Sequence, residues 1–101
     1  MKIRFYREAL DDWLKSISYY SEIDVSLADF FCEEISKNLS QLKQFPKVGQ
    51  KHKTNSKLRV KVCKSFSYSI IYHLVDNSET IFIVAIAHNM RNPDYWKSRG
   101  F

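Results

Sequence analysis

A chain of 101 residues, 45% of them hydrophobic, suits one small domain with a single modest core, and its net charge of +5 points to an acidic partner. No apolar run approaches the ~20 residues of a membrane-spanning helix. The start, Met1-Lys2-Ile3-Arg4-Phe5-Tyr6-Arg7, lacks the apolar stretch and cleavage site of a secretory signal. Cys32 and Cys63 have neither zinc-site nor disulfide-framework spacing and read as small buried apolar residues. A cytoplasmic protein without metal or cofactor is expected.

Lys2 to Tyr6 alternates, with Ile3 and Phe5 on one side, and predicts a short strand. Glu8 to about Ser21 has helical spacing, with Leu10, Trp13, Leu14, Ile17 and Tyr20 on one face. Glu8, Asp11 and Asp12 lie in its first turns, where the helix dipole favours negative charge. A second helix is predicted from about Val25 to Phe45, its apolar face made of Leu27, Phe30, Phe31, Ile35, Leu39 and Leu42. Asp24 or Ser26 caps it, and Ser26 with Asp29 approximates a capping box. Pro46 and Gly49 end it.

Lys47 to Lys57 reads as a basic loop containing His52. Leu58 to Lys64 then alternates, with Leu58, Val60 and Val62 facing one way and Arg59, Lys61 and Cys63 the other. That predicts a half-buried strand with a cationic outer face. Tyr68–Val75 and Thr80–Ala87 are two further strands, joined as a hairpin by Asp76-Asn77-Ser78-Glu79. Strand, helix, helix and three strands make an α+β plan, with a two-helix hairpin on one face of a mainly antiparallel sheet.

The charge is unevenly distributed. Residues 1–34 carry a net −4, residues 35–75 carry nine bases and no acid, and residues 76–101 balance. Such asymmetry suits nucleic acid or an acidic protein segment. After the apolar run Ile81–Ala87 come His88, Arg91, Tyr95, Trp96 and Arg99, groups that hydrogen-bond, stack and carry positive charge. No pair of carboxylates lies near the basic stretch, which argues against a metal-dependent phosphodiesterase, and no Gly-rich loop cradles a phosphate. His52 and His73 read as a loop residue and an exposed strand residue.

Several of these residues, in this order, resemble the ParE/RelE superfamily of toxins from bacterial type II toxin–antitoxin modules. They are Phe5, Ala9 and Asp12, then Tyr19-Tyr20, Ala28-Asp29-Phe30, Leu42, Pro46, Gly49 and Arg59. Phe66-x-Tyr68-x-Ile70-x-Tyr72 matches the family's Phe-Pro-Tyr strand start, with Ser67 in place of the proline. The ending Ile86-x-His88-x-x-Arg91-x-Pro93-x-Tyr95-Trp96 is similar to the His-x-x-Arg-x-Pro close of the ParE branch, to which the chain is nearer.

The resemblance implies an antitoxin partner with an acidic or amphipathic segment, and one of two targets. ParE-like members inhibit DNA gyrase by protein–protein contact; RelE-like members cut mRNA on the ribosome. Cleavage through the 2′-hydroxyl needs a base, an acid and cations for the phosphorane charge. Arg59, His88, Arg91 and Tyr95 are the candidates for that alternative, with Lys51 and Lys53 adding positive field. For the favoured reading no residue is catalytic, and Lys51, Lys53, Arg59, Lys61, Arg91, Tyr95, Trp96 and Arg99 are expected to meet the antitoxin or the target. The surface joining the helices to the cationic strand is expected to receive the antitoxin segment.

Overall fold

The computed structural model describes residues 1–75, 79–91 and 95–99. Strand β1 (Lys2–Phe5) leads into helix α1 (Arg7–Ile23) and helix α2 (Val25–Gln44). Strands β2 (Gln50–Lys51), β3 (Leu58–Val62), β4 (Tyr68–Val75) and β5 (Thr80–His88) follow, then a 3-10 turn at Lys97–Arg99. The sheet order is β1-β5-β4-β3-β2, with β1 parallel to β5 and every other pairing antiparallel. The expected α+β plan is the observed one. Of the turn expected at Asp76–Glu79 only Glu79 lies within the described residues, and Pro93 of the closing motif lies outside them.

Asp24 is the cap of α2: its Oδ1 accepts from the Ser26 backbone N–H at 2.8 Å. The inward stripe of α1 is buried Ala9 and Asp12 with half-buried Trp13, Ser16, Ile17 and Tyr20, which displaces Leu10 and Leu14 from the expected core face. Leu14 is 54% exposed. Small Ala9 and polar Asp12 let α1 approach β5 closely, and that sets the rotation of the helix. On α2, Phe31, Ile35, Leu39 and Leu42 enter the core as expected, whereas Phe30 lies outside it at 60% exposure.

The sheet has a core on each face. The helix side buries Phe31, Ile35, Leu42, Cys63, Ile70, Tyr72, Ile81, Ile83 and Ile86. The far side buries Leu58, Ile71, Val84 and Ala85 under Trp96. The alternation along β5 is shifted by a bulge. Ile71 pairs with Ala85 but Tyr72 pairs with Ile83, so Val84 is an extra residue on β5. Beyond it the alternation is reset, and Ile86 and His88 return to the helix side, His88 opposite Tyr68.

Strand β3 alternates as expected, but its faces are reversed. Leu58, Val60 and Val62 belong to the side away from the helices, where Trp96 covers the first of them. Arg59 and Lys61 share the helix side with Tyr72 and Ile70 and are half-buried rather than an outer cationic face. Lys61 Nζ donates to Asn38 Oδ1 on α2 at 2.7 Å. The reason is the coverage: at this edge the helix side meets the polar Asn38 and the Pro46–Gly49 backbone, whereas the far side gains an indole. The expected basic loop also contains β2, whose Gln50 and Lys51 pair with Val60 and Arg59.

Candidate functional site

Strand β1 is short, and it pairs with β5 only as far as Ile83. Past that point the outer edge of β5 needs other partners for its backbone groups. Asp12 and Arg99 supply them. Asp12 Oδ2 accepts from the Ile86 backbone N–H at 3.1 Å, and Arg99 donates to the Val84 carbonyl at 3.0 Å. The two side chains also pair with each other in a fork, at 2.7 and 3.0 Å. Bonding to Asp12 pushes the Arg99 guanidinium further above its ordinary range, against the opposing effect of burial.

Tyr95 completes this group. Its hydroxyl donates to Asp12 Oδ2 at 3.1 Å. Burial, then the Asp12 charge, pushes its pKa up to about 12. Its ring carries the Arg91 guanidinium at 3.6 Å from the centroid and the Arg99 guanidinium at 4.9 Å. A phenol holding its proton this firmly, with that proton already donated to a carboxylate, is a poor general acid for a leaving group.

His88 stands edge-on to the Tyr68 ring at 5.1 Å, and Tyr68 Oη lies 2.9 Å from Ser16 Oγ. The His88 Nδ1 accepts the Met90 backbone N–H at 3.1 Å. His88 and exposed Arg91 form a ridge between two hollows of about 180 and 200 Å³, one on each side of the sheet end. His52 lines the first of them and contacts Trp96 edge-on at 5.1 Å.

Arg59 is elsewhere. It pairs with Tyr72, four residues along β4 from the Tyr68 that faces His88, or about 13 Å at ~3.3 Å per residue. Its guanidinium donates to the Gly49 carbonyl at 2.7 Å and the Lys47 carbonyl at 3.2 Å. Tyr72 Oη holds the same segment from the other side, donating to the Pro46 carbonyl at 2.7 Å and accepting from the Gly49 N–H at 3.0 Å. Arg59 thus clamps the segment between α2 and β2.

The remaining expected residues divide in two. Lys51, Lys53 and Lys61 line an open groove of about 730 Å³ along the β2–β3 edge, with Val48, Val60 and Val62 as its apolar members. Strand β2 covers only Arg59 and Val60, so among the described residues the outer edge of β3 at Lys61 and Val62 has no neighbouring strand. Trp96, at 3% exposure, and Arg99 are built into the fold instead. Sequence reasoning missed the roles of Asp12, Tyr72 and His52. Asp12 and Arg99 lie 87 positions apart, and no local pattern links them.

Among the described residues no group of three or more His, Cys, Asp or Glu could hold a metal ion, and no helix is long and apolar enough to cross a membrane.

Comparison with known proteins places this arrangement. No curated protein matches. The fold is shared with the chromosomal ParDE toxin–antitoxin system of P. aeruginosa, at a TM-score of 0.76 and 16% identity over 87% of this chain and 95% of that one. It is also shared with the isolated E. coli RelE toxin, at 0.66 and 17% over 97% and 94% of the two chains. An E. coli RelE mutant in complex with an antitoxin RelB peptide gives 0.68 and 17%, over 96% and 92%. The family model for the ParE toxin of the type II toxin–antitoxin system parDE matches residues 3–93, nearly the whole chain, and the protein therefore belongs to the ParE toxin family.

Proposed function

We infer that this toxin acts by protein–protein contact on DNA gyrase and is neutralised by an acidic segment of a cognate antitoxin. The observation that carries this reading is the dispersal of the nuclease candidates. Arg59 is about 13 Å along the sheet from the His88 end and serves the Pro46–Gly49 segment, while the Tyr95 hydroxyl is held by Asp12. Only His88 and Arg91 of the four share a hollow. Protein contact needs no such convergence.

The antitoxin segment fits the β2–β3 edge. Lys51, Lys53 and Lys61 give the groove its charge, and the unpaired β3 edge gives it backbone donors and acceptors. Val48 and Val62, both more than half exposed, offer apolar anchors. A segment that folds on docking here would bury those valines and neutralise the lysines.

The direct test adds purified toxin to gyrase and relaxed plasmid. Inhibition of supercoiling supports the reading; full supercoiling at a large molar excess of folded toxin removes it. The RelE-like alternative, a ribosome-dependent endoribonuclease, retains the shared hollow of His88 and Arg91 in its favour. It predicts codon-phased cuts in ribosome-bound mRNA that disappear in Arg91→Ala.

A further inference from the structure

We propose that the acidic antitoxin segment continues past the β2–β3 edge and seats a bulky apolar side chain in a second groove, at the C-terminal end of α2. This rests on the antitoxin reading above and adds the segment's path and composition. The second groove holds about 660 Å³ between Met1, Phe45, Pro46, Val48 and Leu74, with Lys47 as its one charged wall among the described residues. Phe45 is 63% exposed and Val48 is 54% exposed. A contiguous apolar patch left open in this way marks a contact surface.

The patch is held rigid from beneath. Arg59 donates to the carbonyls of Lys47 and Gly49, and Tyr72 Oη bridges the Pro46 carbonyl and the Gly49 N–H. The Val48 N–H closes a turn on the Phe45 carbonyl at 3.0 Å. Phe45 and Val48 themselves belong to neither core. The fold thus fixes the backbone of two apolar side chains that it does not bury. That makes a preorganised platform, which lowers the ordering cost of binding.

Continuity with the edge groove identifies the occupant. Val48 lines both grooves. Gln50 pairs with Val60, so carrying that register on by two residues sets Val48 level with Val62 at the uncovered end of β3. A segment laid along that end meets Val62 and Val48 together, and Phe45 is next around the turn. Charge agrees with this path. Lysines line both grooves, and no Asp or Glu does so among the described residues. A second copy of this chain, packed about a two-fold axis, would set the same lysines against one another. The segment is therefore acidic where it crosses Lys51 and Lys61, and it carries a Leu, Phe or Trp where it reaches Phe45 and Leu74.

The test measures binding of the full-length cognate antitoxin to the folded toxin by calorimetry. Phe45→Ser and Val48→Ser should each weaken binding by about tenfold or more, the loss expected for one buried apolar contact. Both side chains are exposed in the free toxin, so its unfolding midpoint should stay where it is. Phe30→Ser, at a side chain exposed to a similar degree near the other end of α2, should leave binding unchanged. In the complex of the unsubstituted proteins, NOEs from the antitoxin should reach the Phe45 ring and the Leu74 methyls. Lys51→Glu with Lys61→Glu tests the edge reading separately. If that pair weakens binding while Phe45→Ser and Val48→Ser do not, edge docking stands and this continuation is overturned. If the pair has no effect, the edge reading fails and takes the continuation with it. An equal loss in Phe30→Ser also overturns it. So does a free-toxin dimer, or gyrase inhibition, that Phe45→Ser abolishes while antitoxin affinity is unchanged, because the groove then belongs to a second copy or to the target.

Discussion

Arg99 and Asp12, 87 positions apart, form a two-pronged ion pair at 2.7 and 3.0 Å and together close the edge of β5 where β1 ends. Asp12 receives four donors in all: both prongs of Arg99, the Ile86 amide and the Tyr95 hydroxyl. Removing either partner leaves the other charged and largely buried. Arg99→Ala or Asp12→Ala should each cost about 3–5 kcal/mol in denaturant unfolding. The double variant should lose much less than the sum of the two, because the sites share one network. Additive losses would show that the pair is not a unit.

Gly49 is fixed by close approach. A Cβ there would sit 2.6 Å from Tyr72 Oη and 2.9 Å from the Val60 carbonyl oxygen. Gly49→Ala should therefore destabilise by about 1–3 kcal/mol through overpacking. It should also loosen the Arg59 clamp, which faster amide hydrogen exchange at Gly49 and Gln50 would report. Unchanged stability would mean that Tyr72 moves aside freely.

The plan of the fold was legible in the sequence because periodicity carries it: the helix spans and the three long strands fall within a few residues of expectation. Facing was harder. Leu58, Val60 and Val62 do share a side, but alternation cannot say which side is covered, and the Trp96 that decides it sits 34 residues beyond Val62. Leu10 and Leu14 look like core residues by spacing, yet buried Asp12 turns α1 toward the β5 edge. The site was legible in its residue types and not in its grouping. His88 and Arg91 stay together because they are neighbours in sequence, whereas Arg59 is separated from them by strand register.

Ser67, which stands where the resembling pattern has proline, has a backbone reason. Its φ is 51° and that of Phe66 is 64°, left-handed values in the turn from β3 to β4. Proline is locked near −65° and cannot adopt the Ser67 conformation. Phe66 is held there by ring contacts with Tyr20 and Phe31 at 5.2 and 5.4 Å. Ser67→Pro should destabilise by about 3 kcal/mol or more, while Ser67→Gly should be neutral or stabilising by up to about 1 kcal/mol. A tolerated proline would contradict this turn.

Alkaline pH should unfold the protein. Burial pushes Tyr20 and Tyr95 up to about 12 and the Cys63 thiol up to about 11. Each group keeps its proton in the folded state at a pH where the unfolded chain has released it, so the unfolded state binds fewer protons. Stability from these groups is complete below about pH 8, where the unfolded thiol and phenols still hold their protons, and falls as pH rises from there towards 12. Tyrosinate absorbance should show two of the six tyrosines ionising last, together with the loss of structure. Full titration near pH 10 with the fold intact would contradict the burial of these groups.

The most direct measurement of the central claim is the supercoiling of relaxed plasmid by gyrase in the presence of this toxin, run beside a ribosome-bound message. The account predicts that supercoiling stops while the message stays whole, and that Lys51→Glu with Lys61→Glu weakens antitoxin rescue. Undisturbed supercoiling together with codon-phased cuts that vanish in Arg91→Ala would contradict it.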